Sequence, residues 1–333
     1  LSLAFQRHQE GRLSEAESLY RRVLEASPDN AEALHFLGIL MYQMEKTDLA
    51  AKLIGKAVQI DPEHAESQYN LGNVLGDLGK LDQAVSAFQR AIDLNPNYAK
   101  AHYNLGIIFK DRNNLEAAVD SFRHAIACDP NYAKAYNNLG LALKEQGHLE
   151  ASVEAFKRVI ECDPNYAQAY NNLGITLKNQ GQLNLAVAAY AKAVAIDPEY
   201  ADAYGNLGIA LKDQNQVDKA IVAFRRAIAL DPRHTQAHYN LAGALAELGK
   251  LDEAIAAYQR TVELDPENVS AKHLLTALKG ETTETAPAEY VKNLFDSYAE
   301  FDRHLVERLH YQTPALLRQV LDELGKKHFT NVV

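Results

Sequence analysis

The stretch DPNYAKAYNNLGLALKEQG, residues 129–147, returns as DPNYAQAYNNLGITLKNQG at 163–181, with 15 of 19 positions unchanged at an offset of 34. The prolines extend that offset along the chain. Pro28, Pro62, Pro96, Pro130, Pro164, Pro198, Pro232 and Pro266 are spaced 34 apart, and only Pro287 and Pro314 lie off the lattice. A fixed period of this length marks a solenoid, in which one unit cannot bury its own apolar face and stacks on the next. The residue before each lattice proline is Asp, Asn or Ser, and a residue so placed is pushed out of the α region, so a helix ends there and a turn follows.

Apolar spacing predicts two helices per repeat. In the quoted unit the first carries Leu139 and Leu143 with small Ala135 and Gly140, the second carries Ala151, Phe156 and Val159, and Gly147-His148 marks the turn between them. Gly38, Gly72, Gly106, Gly140, Gly174 and Gly208 recur at one site, where a missing side chain admits a neighbouring helix. Phe88, Phe122, Phe156 and Phe224 recur at another, where a ring fills the gap between helices.

Leucine then glycine in the first helix, alanine and an aromatic in the second, and a closing proline in a 34-residue unit resemble the tetratricopeptide repeat. The resemblance covers residues 1–279: a partial repeat at 1–30, seven whole repeats at 31–268 and a capping helix at 269–279. It implies an all-α fold, a right-handed superhelix of stacked helix pairs whose first helices line a concave groove. It also implies a scaffold that binds proteins or extended peptide segments, without naming the ligand.

The second asparagine of the Asn-Asn-Leu-Gly phrase recurs as Asn70, Asn104, Asn138, Asn172, Asn206 and Asn240. Three residues on, on the same helix face, come Asn73, Ile107, Leu141, Ile175, Ile209 and Gly243; three further come Lys110, Lys144, Lys178 and Lys212. The groove is therefore expected to carry amide, aliphatic and ammonium rows. A side-chain amide donates and accepts, so an asparagine row can pair with the backbone of an extended peptide of any sequence, while lysines favour acidic partners. The row resembles the asparagine ladder of O-linked N-acetylglucosamine transferases, which implies substrate-backbone contact for these six asparagines. The bland readings are amides that satisfy neighbouring groups and lysines that are simply solvated. In the second repeat His35, Phe36, Ile39 and Tyr42 replace the usual groove residues, with Met41 and Met44 nearby. That set reads either as an apolar pocket for an anchor side chain or as a face that packs against upstream repeats.

Catalytic and metal motifs are not found in the array. The glycine-lysine pairs at Lys80 and Lys250 end repeat turns and do not match a phosphate-binding loop. His234 and His238 stand four apart without a third ligand. The carboxylate clamp of chaperone-binding relatives finds Tyr69 and Asn138 where it needs lysine and arginine; only Asn73, Asn104 and Lys134 match. Composition narrows the partners further. The net charge is −10 with no basic block, which argues against nucleic acid. No run of 18 apolar residues is present, so no membrane span is expected. Cys128 and Cys162 occupy equivalent places in successive repeats, too far apart to bridge, so two free thiols and a reducing, cytoplasmic setting are expected. Leu1 opens the chain partway through a repeat, which leaves room for an upstream targeting sequence. Oligomeric state is left open.

After Lys279 the period stops. GETTETAP, 280–287, reads as a linker, and 288–333 as two amphipathic helices before Thr313-Pro314, a third over 314–324, and a strand beginning at Phe329. This tail resembles the lead-in of bacterial repeat proteins fused to an S-adenosylmethionine-dependent methyltransferase, whose first strand runs into the cofactor-holding loop. That resemblance implies an α/β domain beginning here and, as the alternative to a pure scaffold, the recognition arm of such an enzyme; no cofactor site lies within 1–333.

Overall fold

The computed structural model describes residues 1–280, which form seventeen α-helices and no strand. In chain order these are α1 (Ser2–Gln9), α2 (Leu13–Ala26), α3 (Ala31–Gln43), α4 (Thr47–Ile60), α5 (Ala65–Asp77), α6 (Leu81–Leu94), α7 (Ala99–Asp111), α8 (Leu115–Cys128) and α9 (Ala133–Glu145). They continue as α10 (Leu149–Cys162), α11 (Ala167–Asn179), α12 (Leu183–Ile196), α13 (Ala201–Asp213), α14 (Val217–Leu230), α15 (Thr235–Glu247), α16 (Leu251–Leu264) and α17 (Val269–Leu278). The chain divides into two compact units, Leu1–Ile196 with α1 to α12 and Asp197 onward with α13 to α17. Each is a stack of helix pairs. The expected linker after Gly280, the methyltransferase-like helices and the strand lie outside the described residues.

Two kinds of turn keep the period. Between the members of a pair, one residue adopts a left-handed conformation: Gly79, Gly147, Gly181 and Gly249 do so at φ +70° to +80°, whereas Glu45, Asn113 and Asn215 do so at φ 58° to 61°. Glycine takes this conformation without steric cost and asparagine tolerates it; a glutamate does not have either advantage. Between pairs, the residue before proline leaves the helix in extended geometry, as Asp129 does at φ −136° and ψ 94°. Its carboxylate then accepts the amide N–H two residues on, Asn131 N to Asp129 Oδ1 at 3.0 Å, and Asp163, Asp231 and Asp265 repeat the bond at 2.9–3.1 Å. The side chain thus makes the turn that the proline only permits.

Inside each pair the glycine row meets the aromatic row. A Cβ built on Gly72 would lie 2.6 Å from the Phe88 ring, one on Gly106 2.6 Å from Phe122 and one on Gly140 2.8 Å from Phe156, so each glycine is the floor on which its ring rests. Phe122, Phe156 and Phe224 are completely buried. In the second repeat Ile54 replaces the ring against Gly38, and Tyr190 replaces it against Gly174.

One expectation fails here. Ala151 is exposed, and the buried position is Ser152, which holds the slot filled by alanine in the other repeats. The serine is tolerated because its hydroxyl donates to the Gly140 carbonyl at 2.8 Å, which satisfies the buried polar group.

Candidate functional site

The asparagine row falls on the first helices, one residue per pair. In the first unit Asn70 lies on α5, Asn104 on α7, Asn138 on α9 and Asn172 on α11; in the second unit Asn206 lies on α13 and Asn240 on α15. Their environments are not equivalent. Asn70, Asn104 and Asn138 are half-buried, and Asn172 is buried at 7% exposure.

In the first unit the amide nitrogens face the preceding repeat. Asn104 Nδ2 donates to Asn73 Oδ1 at 2.7 Å and to the Tyr69 hydroxyl at 3.4 Å. Asn138 Nδ2 donates to the Tyr103 hydroxyl and to the Lys134 carbonyl, both at 3.1 Å. Asn172 Nδ2 donates to Asn137 Oδ1 at 3.1 Å. The shared geometry is a bond to the residue 35 positions earlier, on the first helix of the previous repeat. Where that residue is Gly205 no such partner exists, and Asn240 instead accepts from Gln236 at 3.3 Å. Both amide hydrogens of Asn104 and of Asn138 are thereby engaged, so what each of these two residues offers a ligand is its carbonyl oxygen, an acceptor. The sequence shows the row; it does not show which end of the amide is taken, because the partner stands in another repeat.

The aliphatic and ammonium rows share these helices. Ile107, Leu141 and Ile175 are half-buried in the first unit and Ile209 in the second. Lys110, Lys144, Lys178 and Lys212 lie in the last turns of α7, α9, α11 and α13, where an ammonium also complements the partial negative charge of the helix end.

The second repeat is largely occupied by its own neighbours. His35 is 1% exposed. Its Nδ1 lies 2.7 Å from Ser67 Oγ and its Nε2 3.5 Å from Asn70 Nδ2, and Ser67 Oγ lies 2.7 Å from His64 Nδ1. A neutral His35 satisfies this chain, and burial, reinforced by His64, pushes its imidazole down to about 4. Phe36 packs on Phe5 at 4.8 Å and on Tyr20 at 6.2 Å between ring centroids, so this ring lies against upstream helices. Tyr42 instead stands at a cavity, where its hydroxyl donates to Asp77; burial, followed by that carboxylate, pushes the phenol up to about 12. Ile39 is half-buried on the same helix.

That cavity, about 350 Å³, lies on the asparagine face between α3, α5 and α7. A larger one, about 540 Å³, lies between α10, α11 and α12 and is walled by Val153, Leu173, Leu177 and Leu185. It is away from the three rows, and its rim carries both acids and lysines.

The two histidines four apart serve separate ends. His234 Nδ1 accepts the Ala237 amide at 3.3 Å and its Nε2 lies 3.4 Å from Asp202, while His238 Nε2 lies 3.2 Å from the Pro232 carbonyl. Among the described residues no group of three metal-ligating side chains forms, and no helix is long and apolar enough to cross a membrane.

Comparison with known proteins agrees with this architecture. Profiles of the tetratricopeptide repeat match residues 69–133 and 206–269, 133–166, 155–188 and 176–215, and a profile of anaphase-promoting complex, cyclosome, subunit 3 matches residues 9–91. No curated protein sequence matches the chain. Among solved structures, YrrB, a TPR protein with an unusual peptide-binding site, is 26% identical at a TM-score of 0.50, over 56% of this chain and 96% of its own. The C-terminal part of a TPR repeat-containing protein from Cytophaga hutchinsonii is 18% identical at a TM-score of 0.62, over 72% and 98%. The Cut9-Hcn1 hetero-tetramer of the anaphase-promoting complex is 17% identical at 0.55, over 80% and 52%. The tetratricopeptide profiles run without a gap from residue 69 to residue 269, more than half of the 333 residues, and with the 34-residue helix pairs they place the chain in the tetratricopeptide repeat family.

Proposed function

We propose that this protein is an interaction scaffold that holds an extended segment of another protein along its first helices, with the asparagine row as the backbone-reading element. The observation that carries the reading is the orientation of Asn104 and Asn138: both donors of each amide are used within the array, which leaves a fixed carbonyl acceptor at equivalent places on α7 and α9, the first helices of neighbouring repeats. Such acceptors suit the N–H groups of an extended backbone and impose no sequence requirement. The aliphatic row then takes apolar side chains, and Lys110, Lys144 and Lys178 attract acidic ones. The 26%-identical YrrB, itself described as having a peptide-binding site, supports the same class of ligand.

A second reading is favoured by the same bonds. Asn70, Asn104, Asn138 and Asn172 each tie their helix to the preceding repeat, and that role alone would account for these four places in the row. Twelve-residue peptides selected from a random display library on the whole chain separate the two. Asn104→Ala with Asn138→Ala should weaken the selected peptides by about 1–3 kcal/mol in sum, on the order of 1 kcal/mol per net hydrogen bond; unaltered affinity with a lowered melting temperature would leave only the structural role. The alternative reading, that the scaffold is the recognition arm of an S-adenosylmethionine-dependent methyltransferase, is carried by the sequence of 288–333.

A further inference from the structure

The lysine row stops at α5. The position held by Lys110, Lys144, Lys178 and Lys212 in later first helices is Gly76 here, and the aliphatic position of the same helix is Asn73. Two rows thus break in a single helix, and the cavity of about 350 Å³ opens at that place, within the usual ~300–1,000 Å³ of small-ligand pockets. A Cβ on Gly76 would meet nothing within 4 Å. The glycine therefore leaves open a space that a lysine would otherwise enter.

The walls define what fits. Tyr42, Asn73, Asn104 and Ile107 line the cavity along with Asp77 and Asp111, and Leu81 and Phe88 add apolar surface. No cationic side chain is among the lining residues. Asp77 and Asp111 are exposed and are the last residues of α5 and α7, so two carboxylates sit on two helix ends that already carry partial negative charge. The nearby Arg112 guanidinium is engaged by Asp82 at 2.8 Å. Two acids without a third ligand do not make a metal site. An exposed ion pair is weak by itself, but a long basic side chain can bury its methylene stem while its head stays at the charged rim.

We propose that this pocket takes a lysine or arginine side chain of the bound segment, its stem against Ile107, Leu81 and Phe88 and its head against Asp77 and Asp111. The inference rests on the scaffold reading and refines it. An acidic pocket at α5 and α7 followed by the ammonium row of α7, α9 and α11 gives this part of the groove a polarity, so the segment would bind in one direction, with its basic residue at the pocket and acidic residues beyond.

The test needs no peptide, so its failure is distinguishable from failure of the asparagine row. The ¹⁵N-labelled whole chain is titrated with n-butylguanidinium and n-butylammonium, with n-pentanol as the neutral control, while the Gly76 amide and the side-chain amides of Asn73 and Asn104 are followed by NMR. Both cations should give saturable shifts at these groups. The affinity should fall by up to about 5-fold in Asp77→Asn/Asp111→Asn, the scale of an exposed charge pair, and saturation should vanish in Gly76→Lys, which favours the helix and restores the row. Shifts that do not saturate, an equal response to n-pentanol, or an affinity unchanged in Asp77→Asn/Asp111→Asn would overturn the proposal.

Discussion

Residues 31–77 and residues 99–145 occupy the same places in the repeat, two positions of the 34-residue lattice apart, and differ in nearly every group that is not framework. Both hold a glycine against a large side chain, Gly38 on Ile54 and Gly106 on Phe122. Around that shared framework, buried His35 stands where Tyr103 stands, Tyr42 where Lys110 stands, Gly76 where Lys144 stands, and Glu45 where Asn113 stands. The comparison separates what the fold demands from what it leaves free: packing between helices of a pair is repeated, whereas the other positions of the first helices, buried His35 among them, and the turns carry the individuality of each repeat.

If the framework is equivalent, removing it should cost heavily in both regions. Phe122→Ala should lose about 3–5 kcal/mol and Ile54→Ala about 2–5 kcal/mol, the range for emptying a closed core site. Because a repeat array opens locally, the loss is best read as faster amide exchange of the affected pair and its neighbours. A large effect in one region and none in the other would break the equivalence.

Acid should part the two regions. His35 stays neutral when folded, with burial holding its imidazole at about 4, whereas unfolded it takes a proton near the ordinary value of ~6.5. Its contribution to stability is therefore complete above about pH 6.5 and is lost as the pH falls toward 4, up to about 3 kcal/mol. Amide exchange of α3 and α5 should accelerate over that window while α7 and α9 change less. His35→Gln should flatten the dependence; an unchanged pH profile in that variant would remove His35 as its source.

A smaller contrast lies in the turns. Glu45 and Asn113 share a left-handed backbone, at φ 59° and 58°, which costs an ordinary side chain about 1–2 kcal/mol and an asparagine less. Glu45→Gly should raise stability by about 1 kcal/mol in thermal unfolding, and Asn113→Gly by only a few tenths. Equal gains would show that the two turns carry no difference in strain.

The prolines set the repeat, and apolar spacing with the intervening glycine turn set the two helices within it, so the helix pairs were legible. The rows of the first helix were legible for the same reason. Contacts that cross repeats were not: the 35-residue offset from Asn138 to Tyr103 joins helices whose relative rotation no local pattern records. The burial of Ser152 in place of Ala151 was hidden because a hydroxyl that finds the Gly140 carbonyl behaves as a small core residue. The cavity had a sequence signal, the coincidence of Gly76 and Asn73 in one helix, visible only when the two rows are compared position by position.

In the proposed scaffold the amide of Asn138 has two ends with two duties, nitrogen toward Tyr103 and carbonyl toward a ligand. Tyr103→Phe deletes the hydroxyl partner and keeps the carbonyl; Asn138→Ala deletes both. Measured by calorimetry with one library-selected peptide, and by thermal unfolding without it, Tyr103→Phe should lower stability by about 1 kcal/mol and leave peptide affinity within about twofold. Asn138→Ala should lower both, weakening the peptide by roughly 1 kcal/mol, a factor of about five. If the two variants reduce affinity equally, or if Asn138→Ala leaves it untouched, the carbonyl does not read the peptide and the asparagine row serves only to join one repeat to the next.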